Sequence, residues 1–192
     1  MLGKQITTYS DEKLMQLICG GNQYAFNVLY HRHKNRMYYY FYRMLNNSEE
    51  QANDFLQELF LKIIEKPEAF NPEYKFRSWI FSIAGNMCKN EYRRREIHGE
   101  IITGNFTNDE TEELNFSTYS TEQAVEKVFE TLNRLDQDHR STFLLRYREG
   151  FSIKEIAGIL DIADGTVKSR LHNAKKQLAR KLDYLKDEID MK

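Results

Sequence analysis

The segment SIKEIAGILDIADGTVKSRLHNAKKQLARKL, residues 152–182, carries two helical stripes separated by a break. Ile153, Ile156, Ala157 and Leu160 recur at i, i+3, i+4 and i+7, which places one apolar face on a short helix. Ser152 with Glu155 three residues on is a capping box, in which each side chain serves the other's backbone N–H at the helix start. Past Asp161 to Gly165, the apolar positions Val167, Leu171, Ala174, Leu178, Leu182 and Leu185 step by threes and fours and mark the buried side of a second, longer helix. Its other faces are basic. Lys168, Arg170, Lys175, Lys176, Arg180 and Lys181 fall between Gly165 and Leu182 with no acidic residue among them, so the helix can lie beside phosphates without repulsion. Small Ala157 suits the close packing of a helix-turn-helix, whose second helix enters the major groove. An ordinary helical hairpin with a solvated basic face is the other reading of this segment taken alone.

Working outward, the 192-residue chain is long enough for one or two domains, and 41% hydrophobic with 13% aromatic residues supplies real cores. Two prolines, nine glycines and no sustained alternation of apolar and polar residues predict an all-α fold. The net charge of −1 hides an uneven distribution. Residues 1–97 carry 14 basic and 11 acidic side chains, residues 98–121 carry 5 acidic and no basic ones, and residues 122–192 carry 14 and 13. Two mildly basic halves therefore flank an acidic joint. Cys19 and Cys88 lack any CxxC companion, so neither a zinc site nor a disulfide framework is indicated, and a reducing, cytoplasmic setting fits. Neither a membrane span nor a signal-peptide profile is present in the sequence.

From the N-terminus, Ser10 caps a short helix with Leu14, Leu17 and Ile18 that stops at Gly20-Gly21. A second helix from near Asn22 runs to Asn46-Asn47 with Phe26, Leu29, Tyr30, Met37, Tyr40, Phe41 and Met44 on its apolar face. His31 and His33 are two apart and point to different sides, which argues against a metal pair. Ser48 with Gln51 is a second capping box, opening a helix with Ala52, Phe55, Leu56, Leu59, Phe60, Ile63 and Ile64 that Pro67 ends. Its polar side holds Asp54, Gln57, Glu58 and Lys62. The run from Phe70 to Tyr74 is a loop, since Asn-Pro favours a turn.

The next helix, from about Lys75 to Arg95, sets Phe76, Trp79, Ile80, Ile83, Ala84, Met87 and Cys88 against Arg77, Asn86, Lys89, Asn90, Arg93, Arg94 and Arg95. Rings that stack, amides that bond base edges and cations that hold phosphate are the combination that grips unstacked bases. Tyr74, Phe76 and Trp79 fit either that role or a core, and for Trp79 the core is preferred. Residues 98–120 are polar, acidic and aperiodic, which reads as a flexible linker. Ser120 with Gln123 is a third capping box, opening a helix with Val125, Val128, Phe129, Leu132 and Leu135; another near Gln137 to Glu149 carries Phe143, Leu144 and Tyr147 and ends at Gly150. With the two helices of the opening segment, that makes a four-helix C-terminal domain.

Four stretches in this order resemble the bacterial RNA polymerase sigma factors, specifically the small extracytoplasmic-function (ECF) group of the sigma-70 family. They are NDFLQELFLKI (Asn53 to Ile63), FRSWIFSIAGNMCKNEYRRR (Phe76 to Arg95), FLLRYREGFSIKEIAGIL (Phe143 to Leu160) and GTVKSRLHNAKKQL (Gly165 to Leu178). The resemblance covers almost the whole chain. It implies a non-catalytic specificity subunit of RNA polymerase, with residues 1–97 as a docking and minus-ten domain, 98–121 as linker and 122–192 as a minus-thirty-five domain. Asp54, Gln57 and Glu58 would dock on the clamp helices of the polymerase's largest subunit, and the flap of the second subunit is a further expected contact. Tyr74, Lys75, Arg77, Asn86, Lys89, Asn90, Arg93 and Arg94 would melt and hold the minus-ten element, Asn86 and Asn90 at the flipped bases and Lys89, Arg93, Arg94 and Arg95 on the backbone. Thr166, Lys168, Ser169, His172, Asn173 and Lys176 would read the minus-thirty-five duplex. The resemblance further implies an anti-sigma protein, often membrane-anchored, and no metal, cofactor or small-molecule substrate.

Two residues depart from the family pattern. Asp161 stands where Gly is frequent in the turn, and Ala163 where a Ser or Thr often caps the recognition helix. Asp tolerates a left-handed backbone, and Asp164 is the expected replacement cap. The main rival reading is a stand-alone helix-turn-helix regulator in which residues 1–97 sense or dimerise. No ligand or receiver pattern supports it, and an enzyme is disfavoured by the lack of a phosphate-binding glycine loop, HExxH or nucleophile motif.

Overall fold

A computed structural model describes residues 6–98, 132–133 and 135–189, the side chains of 179–189 excepted. The described residues form seven α-helices and no strand. Packing divides the chain into two compact units, Met1–Cys88 with Ala157–Asp161, and Lys89–Ile156 with Ile162–Lys192. The expected linker, the capping box at Ser120 and the helix around Val125 lie outside the described residues.

In the N-terminal helices, local chemistry sets most boundaries. Helix α1 (Asp11–Cys19) is capped by the Ser10 side chain, which accepts from the Lys13 amide, and Gly21 ends it at φ +79°. Helix α2 (Gln23–Met44) is capped by Asn22 accepting from Ala25 at 2.9 Å. It closes on Asn46 and Asn47, both left-handed at φ 57° and 62°, a conformation that Asn accepts more readily than most residues. Helix α3 (Glu49–Glu65) starts on Ser48, whose hydroxyl accepts from the Gln51 amide. A short 3-10 turn at Pro67–Ala69 and a loop lead into α4 (Phe76–Ile97), which begins one residue later than the periodicity suggests because Lys75 supplies the first carbonyl acceptor rather than a helical residue.

Helix α2 packs against α1 and α3, and its Leu29, Met37, Tyr40, Phe41 and Met44 are fully buried or nearly so. Edge-on ring pairs join the layers, Tyr40 with Phe81 at 5.3 Å and Phe41 with Phe55 at 5.5 Å, a geometry that aligns ring edges with ring faces. Two polar side chains are buried in this unit as well. Arg43 lies against the rings of Tyr39 and Tyr42 and donates to the Tyr39 hydroxyl at 2.9 Å. His33 sits against Phe76, with Nε2 2.8 Å from Asp11 Oδ2. Ile64, expected on the apolar side of α3, is 48% exposed instead. Leu56, Leu59, Phe60 and Ile63 already complete a 3.6-residue stripe, and Ile64 falls one position past it.

In the C-terminal helices, α5 (Gln137–Phe143) is capped by Asp136 accepting from the His139 amide at 3.0 Å. It runs into one π turn, Leu144–Arg148, before Gly150 at φ +74°. That wider turn corrects the expected core: Leu144 and Leu145 are buried, while Tyr147 is 47% exposed because the extra residue in the turn rotates it outward. Helix α6 (Ile153–Leu160) opens on the Ser152–Glu155 capping box, with the Ser152 amide donating to Glu155 at 2.8 Å and the Glu155 amide to the Ser152 hydroxyl at 3.3 Å. Asp161 takes the left-handed turn at φ 52°. Helix α7 (Asp164–Ile189) packs on α5, with Val167, Leu171, Ala174 and Leu178 buried. Here the cap expectation is corrected. The carbonyl of Ala163 accepts from Thr166 and Val167, so Ala163 holds the cap position and Asp164 lies inside the first turn. There its charge faces the positive helix end rather than replacing a capping oxygen.

Candidate nucleic-acid interface

Helix α4 presents Asn86, Lys89, Asn90 and Arg93, all exposed, at i, i+3, i+4 and i+7, a spacing that puts them on one side. Arg94 is exposed too, but its guanidinium is engaged: Nε and Nη2 each donate at 2.8 Å to Glu91, and Arg95 Nε donates to the same carboxylate at 2.8 Å. These hydrogen bonds, the Arg94 pair first, outweigh burial and hold the Glu91 carboxyl down at about 2. Glu91 is a residue that sequence reasoning passed over, although its i+3 and i+4 spacing to two arginines was there to read.

At the N-terminal end of α4, Tyr74 is 67% exposed and Lys75 is exposed, whereas Phe76 is buried and Trp79 half-buried. Phe76 and Phe70 are core, Trp79 is half-buried and tilted against both at 5.8 and 5.2 Å, and Tyr74 is the exposed ring of the set. Arg77 is half-buried at the foot of the same helix.

On α7, Thr166, Lys168, Ser169, His172, Asn173 and Lys176 are all exposed, while Val167, Leu171 and Ala174 are buried beneath. Two basic residues of this helix turn elsewhere. Arg170 is half-buried and bonds Asp138 of α5, and Lys175 Nζ lies 5.4 Å from the Tyr147 ring centroid. The first fastens α7 to α5, and the second spends its charge on a ring face.

On α3, Asp54, Gln57 and Glu58 are exposed on one side, with Glu58 and Lys62 paired at 3.1 Å. Leu61, 55% exposed, follows Gln57 and Glu58 along that side, and Ile64 lies one turn beyond. An exposed polar strip with apolar neighbours is a surface suited to another protein. Ile64 was missed because it reads as a member of the helix's own core face, and Leu61 lies between the apolar stripe and the polar side and was assigned to neither.

The fold and these faces define a helical protein with a helix-turn-helix and a second, separate basic-aromatic surface. Comparison with known proteins places it. Residues 29–97 match the family Sigma-70 region 2, and residues 126–178 match Sigma-70, region 4. The chain is 30% identical over 183 residues to the ECF RNA polymerase sigma factor SigM of Mycobacterium tuberculosis, covering 95% of this chain and 90% of that one. It is 29% identical to the ECF RNA polymerase sigma-E factor of Haemophilus influenzae, covering 96% and 100%. The solved structure of CnrH, in complex with the cytosolic domain of CnrY, superimposes with a TM-score of 0.66 at 25% identity, over 90% of this chain and 97% of that one. The chain belongs to the ECF sigma factors of RNA polymerase, and it confers promoter recognition and transcription initiation on the core enzyme. The stand-alone regulator is not favoured.

Proposed function

We propose that this sigma factor divides promoter recognition between its two halves. Residues 1–97 dock on the clamp helices through Asp54, Gln57 and Glu58 and capture the melted minus-ten strand. Residues 122–192 read the minus-thirty-five duplex through Thr166, Lys168, Ser169, His172, Asn173 and Lys176, and contact the flap. Residues 98–121 join the two, their acidic charge suited to a basic channel. The observation that carries the reading is the exposed run Asn86, Lys89, Asn90 and Arg93 on one side of α4, with Tyr74 and Lys75 exposed at its start. Amides, cations and a ring in that order supply base-edge bonds, phosphate contacts and a stacking surface.

The protein acts without catalysing chemistry itself, leaving phosphodiester synthesis to the core enzyme. It works in the cytoplasm, under an anti-sigma protein that occludes one of its faces; that CnrH was solved with the cytosolic domain of CnrY supports both readings. Among the described residues no helix is long and apolar enough to cross a membrane.

The test is permanganate footprinting of a promoter with holoenzyme reconstituted from this chain. Asn86→Ala should lower thymine reactivity in the minus-ten region while leaving duplex binding by the C-terminal half intact. Unchanged reactivity at saturating holoenzyme removes Asn86 from the site.

A further inference from the structure

We infer that Glu12 is a positioning residue for strand capture: its carboxylate, carried on α1, caps the helix that presents the strand-binding face. The inference rests on the assignment of Tyr74 to Arg94 to that role. Helix α4 has no acceptor of its own at its start. Ser78 and Trp79 both donate to the Lys75 carbonyl, at 3.1 and 3.2 Å, so Lys75 occupies the cap position. A lysine side chain offers donors only, while the first-turn N–H groups of a helix need an acceptor from outside the helix. Glu12 Oε1 supplies one, accepting from the Phe76 amide at 3.1 Å across 64 residues of sequence. A negative charge there also suits the positive end of the helix. Burial works to raise the Glu12 carboxyl, yet its own amide, the Phe76 amide, the Ser10 hydroxyl and the Lys75 charge together hold it below its ordinary value.

The carboxylate is itself held in place. Neighbouring Asp11 bonds Arg32 and His33 of α2, and Arg32 donates further to the carbonyls of Thr7 at 3.0 Å and Tyr9 at 3.1 Å. Burial pushes the Asp11 carboxyl up, but His33 and then Arg32 outweigh it and keep it low. An ionised carboxylate accepts only, so His33 Nε2 is the donor. The ring of His33 in turn meets Phe76 at 5.2 Å, the residue that Glu12 caps. Two consecutive carboxylates on α1 thus tie α2 to the first residue of α4. The loop before α4 is fixed at its other end by Asn71, whose side chain accepts from Glu73 at 3.0 Å and whose carbonyl accepts from Tyr74 at 3.1 Å. With both ends set, Tyr74 and Lys75 are placed before any strand arrives, which cuts the ordering cost of binding it.

The experiment uses holoenzyme carrying Glu12→Ala or Glu12→Gln. Its readouts are permanganate reactivity of the melted promoter, affinity for core polymerase, and melting temperature of the free chain. Loss of a helix cap predicts about a fivefold drop in open complex for Glu12→Ala, with core affinity within about twofold of the parent. Glu12→Gln keeps an acceptor oxygen and should recover most of the loss, a rescue that a merely structural role of the charge would not give. Parent-like opening by Glu12→Ala, equal defects in both variants, or a core affinity that falls in step with opening would each overturn the inference. If parent holoenzyme fails to open the promoter at all, the strand-capture reading itself fails, and that outcome is distinct.

Discussion

Replacing Glu91 with Gln should make the protein bind single-stranded DNA more tightly and with a steeper dependence on salt. In the structure one carboxylate takes three charged hydrogen bonds, two from Arg94 and one from Arg95, all at 2.8 Å. Its carboxyl sits at about 2, so it is ionised throughout the working range. Gln removes the charge and leaves one acceptor oxygen, releasing between one and two cationic groups toward phosphate. Each added phosphate contact on a single strand steepens the plot of log affinity against log salt by about 0.7. Between about 50 and 200 mM salt, one to two contacts therefore cost the variant roughly 3- to 7-fold more affinity than the parent loses. Stability should fall modestly: the Arg94 pair, with Arg94 58% exposed, contributes about 1 kcal/mol or less, whereas the Arg95 pair is shielded, at 14% and 12% exposure, and adds to the loss. The assay is fluorescence anisotropy of a labelled non-template strand carrying the minus-ten element, titrated with holoenzyme across that salt range. A slope equal to the parent's would mean that Arg94 and Arg95 do not face phosphate, and the backbone role assigned to them would go.

Charge reversal at Asp54 and Glu58 should weaken core-polymerase binding with almost no change in melting temperature, since both are exposed and the apolar side of α3 is complete without them; an equal loss of thermal stability in calorimetry would refute a docking role. Arg170→Ala should destabilise the isolated chain by about 1 kcal/mol or less, seen as a lower melting temperature, by breaking the link from α7 to Asp138. Lys176→Ala should instead leave melting unchanged and reduce the salt slope on minus-thirty-five duplex by about 0.9, alike on all sequences. Acid titration followed by circular dichroism should show stability falling as pH drops below the ordinary carboxylate range. The folded-state values of Asp11, Glu12 and Glu91 are all depressed, so their contributions are present above the unfolded values and are lost as the carboxylates protonate. Asp11→Asn should flatten that acid limb while lowering stability at neutral pH.

How far the sequence could be read depended on distance along the chain. Ser10, Asn22, Ser48 and Ser152 each cap a helix through an amide three residues on, so a reader of four consecutive residues has all the information the backbone uses. The start of α4 has no such signal, because its acceptor is Glu12, and nothing within a turn of Phe76 points there. Side-chain faces were legible while the period held. They failed at Tyr147, where one π turn shifts the angle, and at Ile64, where the buried stripe was already filled. Asp164 failed for a subtler reason: an acidic residue suits a cap and a first turn alike, and only the carbonyl bonds to Ala163 separate the two. For the interface, exposed positions such as Asn86, Lys89 and His172 followed from helical spacing, whereas the pairing of Arg170 with Asp138 joins residues 32 apart and no local pattern contains it.

These pairings explain how a DNA-binding chain can carry a net charge of −1. Nucleic-acid affinity without sequence preference grows with every cation free to meet phosphate, and a sigma factor that bound all DNA strongly would be held away from promoters. In this protein three acidic residues beside the proposed DNA faces or in the N-terminal unit are taken up by basic partners: Asp138 takes Arg170, Glu91 takes Arg94 and Arg95, and Asp11 takes Arg32 and His33. Each of these anions therefore orients a helix or restrains a cation at little cost in repulsion toward DNA. The exposed set that remains on α4 and α7 mixes Asn, Ser, Thr and His with a few lysines and arginines, a composition weighted toward base edges, and such groups discriminate by about 1 to 3 kcal/mol for each good contact. Near-neutrality and sequence selectivity thus follow from one arrangement of charge.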